Sequence, residues 1–235
     1  MSESEADAAV WKLIYLARRN PALRPEDFPQ AWREHSALGR QCLNVGRRVV
    51  AVAQCSRWLQ ACAPALSREH DGVNLMVLAD RDAGAAIWSD PETLAVMRPD
   101  EPRVFADYVR NFSMLCRQRL LRSRLPAAAL PQKGDVVLLG FLQRSDAWLG
   151  VASAPQACPA QWQQGALDLA ARIVCNTVEE EAPKGHGYRY IVEWWFDGRE
   201  QALAAAQALG EADAGGAYGW GDSVFMLTEV THCRP

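Results

Sequence analysis

The 235-residue chain lacks most of the features that announce a partner. Its 25 Lys and Arg stand against 28 Asp and Glu, a formal net charge of −3, so the basic excess that grips a phosphate backbone is missing and nucleic acid is not expected. No apolar run approaches the ~18–20 residues of a membrane span, and no apolar signal region follows the first residues, so no membrane association is expected. The seven cysteines (Cys42, Cys55, Cys62, Cys116, Cys158, Cys175 and Cys233) form no CxxC pair, and the four His stand at no metal-ligand spacing. An odd cysteine count without a framework reads as reduced thiols in a cytoplasmic protein, with no structural zinc. The Gly-rich stretch 211–222 (EADAGGAYGWGD) has no Lys-Ser/Thr ending and precedes a strand, so it fails as a phosphate loop. No metal, nucleotide or other cofactor is expected.

What is present is aromatic weight and repetition. Nine Trp are spread over both halves, as core or pocket walls rather than one patch. Each half opens on an apolar strand, Val10–Arg19 or Asp135–Arg144. Each then carries a Trp-anchored helical stretch, further strands, a second helical stretch and a closing strand. Third strands are expected at Asp71–Asp80 and Tyr188–Asp197, and closing strands at Asn111–Leu120 and Ser223–Cys233. The order β-α-β-β-α-β, twice, is the split βαβ or ferredoxin-like pattern. Two helices cover one face of a four-stranded sheet, and the other face is also apolar here. The fold class is therefore α+β: two tandem modules packed sheet to sheet around a space that suits a small molecule. The expected organisation is an acidic, disordered tail at residues 1–9, a first module at 10–122, a linker at 123–134 and a second module at 135–235.

Finer expectations follow from local chemistry. A helix beginning near Arg24–Asp27 puts Phe28, Trp32, His35, Gly39 and Cys42 on one stripe; Pro29 argues for an irregular first turn. Val45–Trp58 reads as the second strand, Leu59–His70 as a connection with weak helical character, and Ala83–Val109 as a Pro-broken helical region with a start at Ser89-Asp90-Pro91-Glu92. In the second half, a helix is expected over Pro159–Ile173, a strand over Val174–Glu181 and an Ala-rich helix over Gly198–Gly210, followed by a flexible loop at 211–222.

Two residues are candidate acid–base groups. His35 titrates near neutrality, and Glu193 lies in an otherwise aromatic strand, either at a sheet edge or in the cavity with a raised pKa. Counting back from the strand-end Asp, Met76 is its expected counterpart in the first half. Tyr190, Trp194 and Phe196 share one face of that strand and Trp195 shares the other with Glu193; sequence leaves open which face lines the cavity. His70 and His186 both precede a third strand, which reads as loop solvation. Arg117, Arg119, Arg122 and Arg124 read as a solvated edge that blocks strand pairing.

These residues resemble the EthD-domain proteins of the dimeric α+β barrel superfamily. The resemblance rests on Lys12–Arg19, Pro21, Leu23, Glu26, Phe28, Trp32 and Arg33, with Asp71-Gly72-Val73 and Ser89-Asp90-Pro91-Glu92. In the second half it rests on Glu193-Trp194-Trp195-Phe196-Asp197 and Leu227-Thr228-Glu229. It implies two ferredoxin-like modules paired within one chain. The family places a His four residues after the helix Trp. Here Ser36 stands at that position, with His35 one residue early and about 100° around the helix; the second copy has no such His. The expected function is a cofactor-independent lyase, dehydratase, cyclase or decarboxylase acting on a small aromatic or polyketide-like molecule. His35 and Glu193 are the expected catalytic residues, and Tyr15, Trp32, Ser36, Trp194 and Trp195 the expected substrate contacts. The alternative is a non-catalytic binding or accessory protein for a hydrophobic metabolite; a haem-handling role is weaker, since no His is an obvious axial ligand. Further association into a homo-oligomer is left open.

Overall fold

The structure, a computed structural model, describes residues 9–126, 130–143, 165–179, 181–214 and 223–234. The expected tail lies almost wholly outside these residues, as do residues 159–164 of the helix expected over Pro159–Ile173 and all of 215–222.

Eight strands form one closed antiparallel barrel in the order β1-β3-β2-β8-β5-β7-β6-β4. They are β1 (Val10–Ala17), β2 (Val49–Arg57), β3 (Gly72–Leu78), β4 (Ser113–Ser123), β5 (Val136–Gln143), β6 (Arg172–Val178), β7 (Tyr188–Phe196) and β8 (Val224–Arg234). Each half contributes four neighbouring strands in the same order, β4-β1-β3-β2 and β8-β5-β7-β6. The two sheets meet edge to edge rather than as stacked layers: β2 pairs with β8 and β4 with β6. Strand tilt and twist let the outer strands of two curved sheets satisfy each other's open hydrogen bonds, which is why one continuous ring replaces two separate layers. The expected solvated Arg edge is therefore absent. Arg117 and Arg119 lie in a paired strand, opposite Thr177 and Cys175 of β6.

The strands read as near-continuous apolar runs because both faces are covered. Inside, Ile14, Leu75, Met114, Leu139, Ile191 and Met226 belong to one cluster drawn from all eight strands. Outside, the helices cover the sheet. In the first half these are α1 (Phe28–Leu38), α2 (Leu43–Arg48), α3 (Asp82–Ser89) and α4 (Glu101–Val104); in the second, α5 (Arg199–Ala214). Beneath α1, Phe28 and Trp32 stack at 5.1 Å and pack with Tyr15 and Phe105. Beneath α5, Ala202, Ala205 and Ala206 lie on Trp194 and Phe225. Two glycines permit these close approaches. A Cβ on Gly72 would fall 2.5 Å from the Trp32 ring, and one on Gly140 would fall 2.9 Å from both Phe225 and Trp194.

Several boundaries differ from the sequence reading, each for a local reason. Pro29 sits in the first turn of α1, where its missing N–H costs no helical bond. Val45–Arg48 belong to α2, because Asn44 is tied to Asp90 and Glu92 and Val45 turns into the core beneath; β2 begins only at Val49. Asp90 does start a turn, accepting from the N–H groups of Glu92 and Thr93. Within the described part of the helix expected over Pro159–Ile173, Gly165–Leu169 form a short 3-10 helix, and Arg172 and Ile173 instead belong to β6, paired with Trp195 and Trp194. The Ala-rich helix is longer than expected and takes in residues 211–214 of the presumed loop. No helix among the described residues is long and apolar enough to cross a membrane.

Candidate active site

Period-two alternation decides what each strand sends into the barrel. On β1 the even residues Lys12, Ile14 and Leu16 point inward, and on β7 the odd residues Ile191, Glu193 and Trp195 do so. One mouth of the barrel, at the start of β1, β2 and β6 and the end of β3, β4, β7 and β8, opens into a cavity of about 240 Å³. One wall is Ala51 and Ala53 of β2 with Leu75 and Val77 of β3; Glu193, Trp195 and Arg172 come from β7 and β6. Those two strand pairs are opposite each other in the ring, so an apolar wall faces a polar one. The alanines leave the room. Lys12, Gln118, Cys233 and Arg234 also line it, with Val10, Val52, Leu130 and Pro131.

The polar wall is organised around a single carboxylate. The Lys12 ammonium donates to Glu193 Oε1 at 2.5 Å, and Asn176 Nδ2 donates to the same oxygen at 2.7 Å. Trp195 Nε1 donates to Oε2 at 2.9 Å. Lys12 and Glu193 are 5% and 1% exposed, so the pair is desolvated and its bonds are charge-assisted. A carboxylate oxygen has two acceptor sites; Oε1 uses both, whereas Oε2 uses one. Among the described residues Lys12 likewise spends one of its three donors. The pair can therefore still accept a proton at Oε2 and still donate to an oxygen anion from Nζ. Because Lys12 belongs to the first half and Glu193 to the second, this bond also joins the halves across the lumen.

The residues singled out from sequence divide between this cavity and the outer surface. Glu193 and Trp195 line the cavity, so the edge reading of Glu193 is corrected: a closed ring has no edge at β7. Its counterpart is Leu75, since Ile14 pairs with Leu75 as Leu139 pairs with Glu193. Met76 lies one residue away and so on the outer face, with Leu13 and Leu78. Tyr15, Trp32 and His35 lie outside the barrel beneath or on α1, and Trp194 lies beneath α5; Ser36 is on α1, half-buried. None of these five lines the cavity. The reason is parity: β1 presents its odd residues to α1, and Trp194 follows Glu193 on the opposite face of β7.

The outer group has its own order. Trp32 Nε1 donates to the Tyr15 hydroxyl at 3.1 Å, and burial pushes that phenol upward. Asp100 is held below the usual carboxylate range, chiefly by Arg103 and, against the raising effect of burial, also by His35. It is thus an acceptor, and His35 Nδ1–H donates to it at 3.0 Å. Burial lowers the His35 pKa against the raising effect of Asp100. This cluster fastens α1 to the segment before α4.

A second depression of about 360 Å³ lies outside the barrel under residues 57–68, lined by Trp58, Cys62, Arg68 and others. It contains no buried charge pair. Among the described residues no three His, Cys, Asp or Glu are grouped as a metal site.

Sequence reasoning did not single out Lys12, Asn176, Arg172 or Arg234. One signal was available for Lys12: it is the only charge on a strand face otherwise made of Ile14 and Leu16, as Glu193 is beside Ile191 and Trp195. Two lone charges of opposite sign on apolar faces of different halves are candidates to meet.

No family profile and no curated protein matches this chain. Solved structures do. A candidate monooxygenase from Fusobacterium nucleatum subsp. nucleatum ATCC 25586 superposes on 97% of this chain and 95% of its own, with a TM-score of 0.54 and 6% identity. An anthrone oxidase-like protein covers 97% of this chain and 94% of its own at a TM-score of 0.55 and 13% identity. A candidate chlorite dismutase covers 96% of each at 0.51 and 10%. At such identities the likeness is one of fold, and that fold is of the dimeric α+β barrel type.

Proposed function

We propose that this chain is an enzyme that moves a proton on a small aromatic molecule held in the barrel cavity. The observation that carries the reading is the Lys12–Glu193 pair set in the polar wall of a chamber whose facing wall is apolar. A substrate ring rests on Ala51, Ala53 and Leu75, opposite the Trp195 indole. A C–H beside a carbonyl gives its proton to Glu193 Oε2; its electron pair moves onto the carbonyl oxygen, and the oxygen anion is met by Lys12 Nζ. Asn176 and Trp195 keep the carboxylate aimed. Elimination, ring closure or loss of carbon dioxide all proceed through such an anion, as would its reaction with dioxygen, to which the oxidase and monooxygenase names of the structural neighbours point.

We infer the finer architecture too: two fused ferredoxin-like modules, residues 10–122 and 135–235, joined by 123–134, in the manner of EthD-domain proteins. The repeated strand order supports it. In this reading Glu193 and Trp195 keep the roles expected of them, Lys12 replaces His35 as the partner group, and His35, Tyr15, Trp32, Ser36 and Trp194 support the helices.

The test is exchange of the methylene protons of anthrone for deuterium, followed by NMR above the uncatalysed rate, with hydroxylated aryl ketones as further probes. The protein should accelerate exchange, and Glu193→Gln should lower that acceleration by ~10²-fold or more. Binding of a probe with no acceleration by the unmodified protein would leave the non-catalytic binding function in place of the enzyme.

A further inference from the structure

We propose that Lys12 Nζ forms a covalent imine with its substrate, so that the molecules turned over in the cavity are aldehydes and ketones rather than esters, amides or acids. The inference rests on the reading of the Lys12–Glu193 wall as the place where a proton is moved. It adds a bond at the nitrogen that meets the carbonyl group.

The chain holds three lysines. Lys133 and Lys184 are exposed, whereas Lys12 is 5% exposed and lines the cavity. A lysine held out of water, rather than one on the surface, is the kind that serves as an amine nucleophile. Its neighbours leave room for a carbonyl compound. Val77 is paired with Lys12 across β1 and β3, and Ala51 with Val77 across β3 and β2; both line the cavity. A ring resting on these two short side chains brings its carbonyl group to Nζ. At about 240 Å³ the cavity falls below the ~300–1,000 Å³ of drug-sized pockets, which suits a compound of one or two rings.

Glu193 is the proton carrier that this route requires, and its Oε1 lies 2.5 Å from Nζ. Holding two full charges out of water is costly, so the ammonium proton can pass to Oε1 and leave a neutral amine beside a carboxylic acid. The amine nitrogen then bonds to the carbonyl carbon, while the C=O electron pair moves onto oxygen and takes up a proton released by nitrogen. Glu193 gives its proton to the resulting hydroxyl, which departs as water. An iminium ion now faces the Glu193 carboxylate. A C–H beside it gives its proton to Oε2, and the electron pair is drawn to the positive nitrogen, a stronger sink than a neutral carbonyl oxygen. Return of a proton to carbon and hydrolysis by water restore Lys12 and the carbonyl compound. The cycle consumes neither oxidant nor reductant.

The experiment incubates the whole chain with 2-tetralone, a two-ring ketone, in water labelled with heavy oxygen and, separately, in deuterium oxide. Imine formation expels the carbonyl oxygen and hydrolysis replaces it from solvent, whereas proton removal without the bond leaves it in place. The protein should therefore carry heavy oxygen into the ketone above the uncatalysed rate, in step with deuterium at the carbon beside the carbonyl. Cyanoborohydride should reduce the imine to a stable secondary amine, which peptide mass mapping finds on Lys12 at least tenfold faster than on Lys133 or Lys184. Lys12→Arg, which keeps the charge and forms no imine, should lose the oxygen exchange. Accelerated deuterium exchange with the carbonyl oxygen retained and no adduct on Lys12 would overturn the imine and leave the proton-transfer reading standing. Acceleration of neither exchange, with no adduct on Lys12, overturns both. The isotope and trapping measurements need no variant, so a substitution that fails to fold does not spoil them.

Discussion

The two halves of the barrel share a strand order but not a lining. Where the first half sends Leu75, Val77, Cys55 and Ala51 inward, the second sends Glu193, Trp195, Asn176 and Arg172. At two pairs of positions the polarity is reversed, with Lys12 and Gln118 in the first half and Val137 and Val230 in the second. The scaffold thus keeps its repeat in the backbone pairing, which the ladder bonds enforce, and loses it in the lumen, where one apolar residue can be exchanged for a charge if a partner appears across the gap. The lesson is that the chemistry should be sought where the repeat fails.

The comparison can be broken most forcefully at its centre. Replacing Glu193 by its counterpart, Glu193→Leu, strands the Lys12 ammonium among apolar groups. It should cost about 3–5 kcal/mol of stability, whereas adding Lys12→Val should restore most of that loss. Urea denaturation of the single and double variants decides it; a double variant as unstable as the single one would mean that the pair is not an isolated couple.

The outer faces give a smaller contrast. Gly72→Ala drives a methyl into Trp32 at 2.5 Å, with the Cys55 carbonyl oxygen at 3.1 Å, whereas Gly140→Ala meets only ring carbons at 2.9 Å. Both overpack their cores by about 1–3 kcal/mol, with Gly72→Ala the costlier, because a backbone carbonyl cannot step aside. Thermal and urea midpoints should rank them in that order.

The smallest effect lies at the other mouth, where His70 and His186 precede β3 and β7 in equivalent places. Burial, then Arg18 and His186, lower the His70 pKa from its ordinary 6.5 to about 4, and burial lowers that of His186. In both, the unfolded chain binds protons that the folded one refuses, so stability is full above about pH 6.5 and declines as pH falls towards 4. With solvent screening at the mouth, His70→Gln should flatten that decline by on the order of 1 kcal/mol. His186→Gln should do less. A pH–stability profile unchanged by His70→Gln would sever the link.

Strand positions were legible in the sequence because apolar runs with turn residues between them leave few alternatives; the repeated order followed from them. Parity was not legible. Glu193 and Met76 were aligned by distance from a terminal Asp, yet a slip of one residue exchanges inside for outside, and only the hydrogen-bond register resolves it. Tyr15 and Trp32, expected as substrate contacts, instead pack against each other beneath α1. Lys12 went unremarked because a lone strand lysine usually reaches solvent along its stem. Its acceptor lies 181 residues further along the chain, and no local pattern joins the two.

The two seams at β2–β8 and β4–β6 carry a consequence for how this protein fails. A shut ring offers no raw backbone to a neighbour, whereas either half alone would expose two unsatisfied borders, β2 and β4 in the first and β6 and β8 in the second, the kind of template on which chains stack into aggregates. A nascent or proteolysed fragment ending near residue 130 is therefore the hazardous species, and the second half acts towards the first as a guard against runaway self-association.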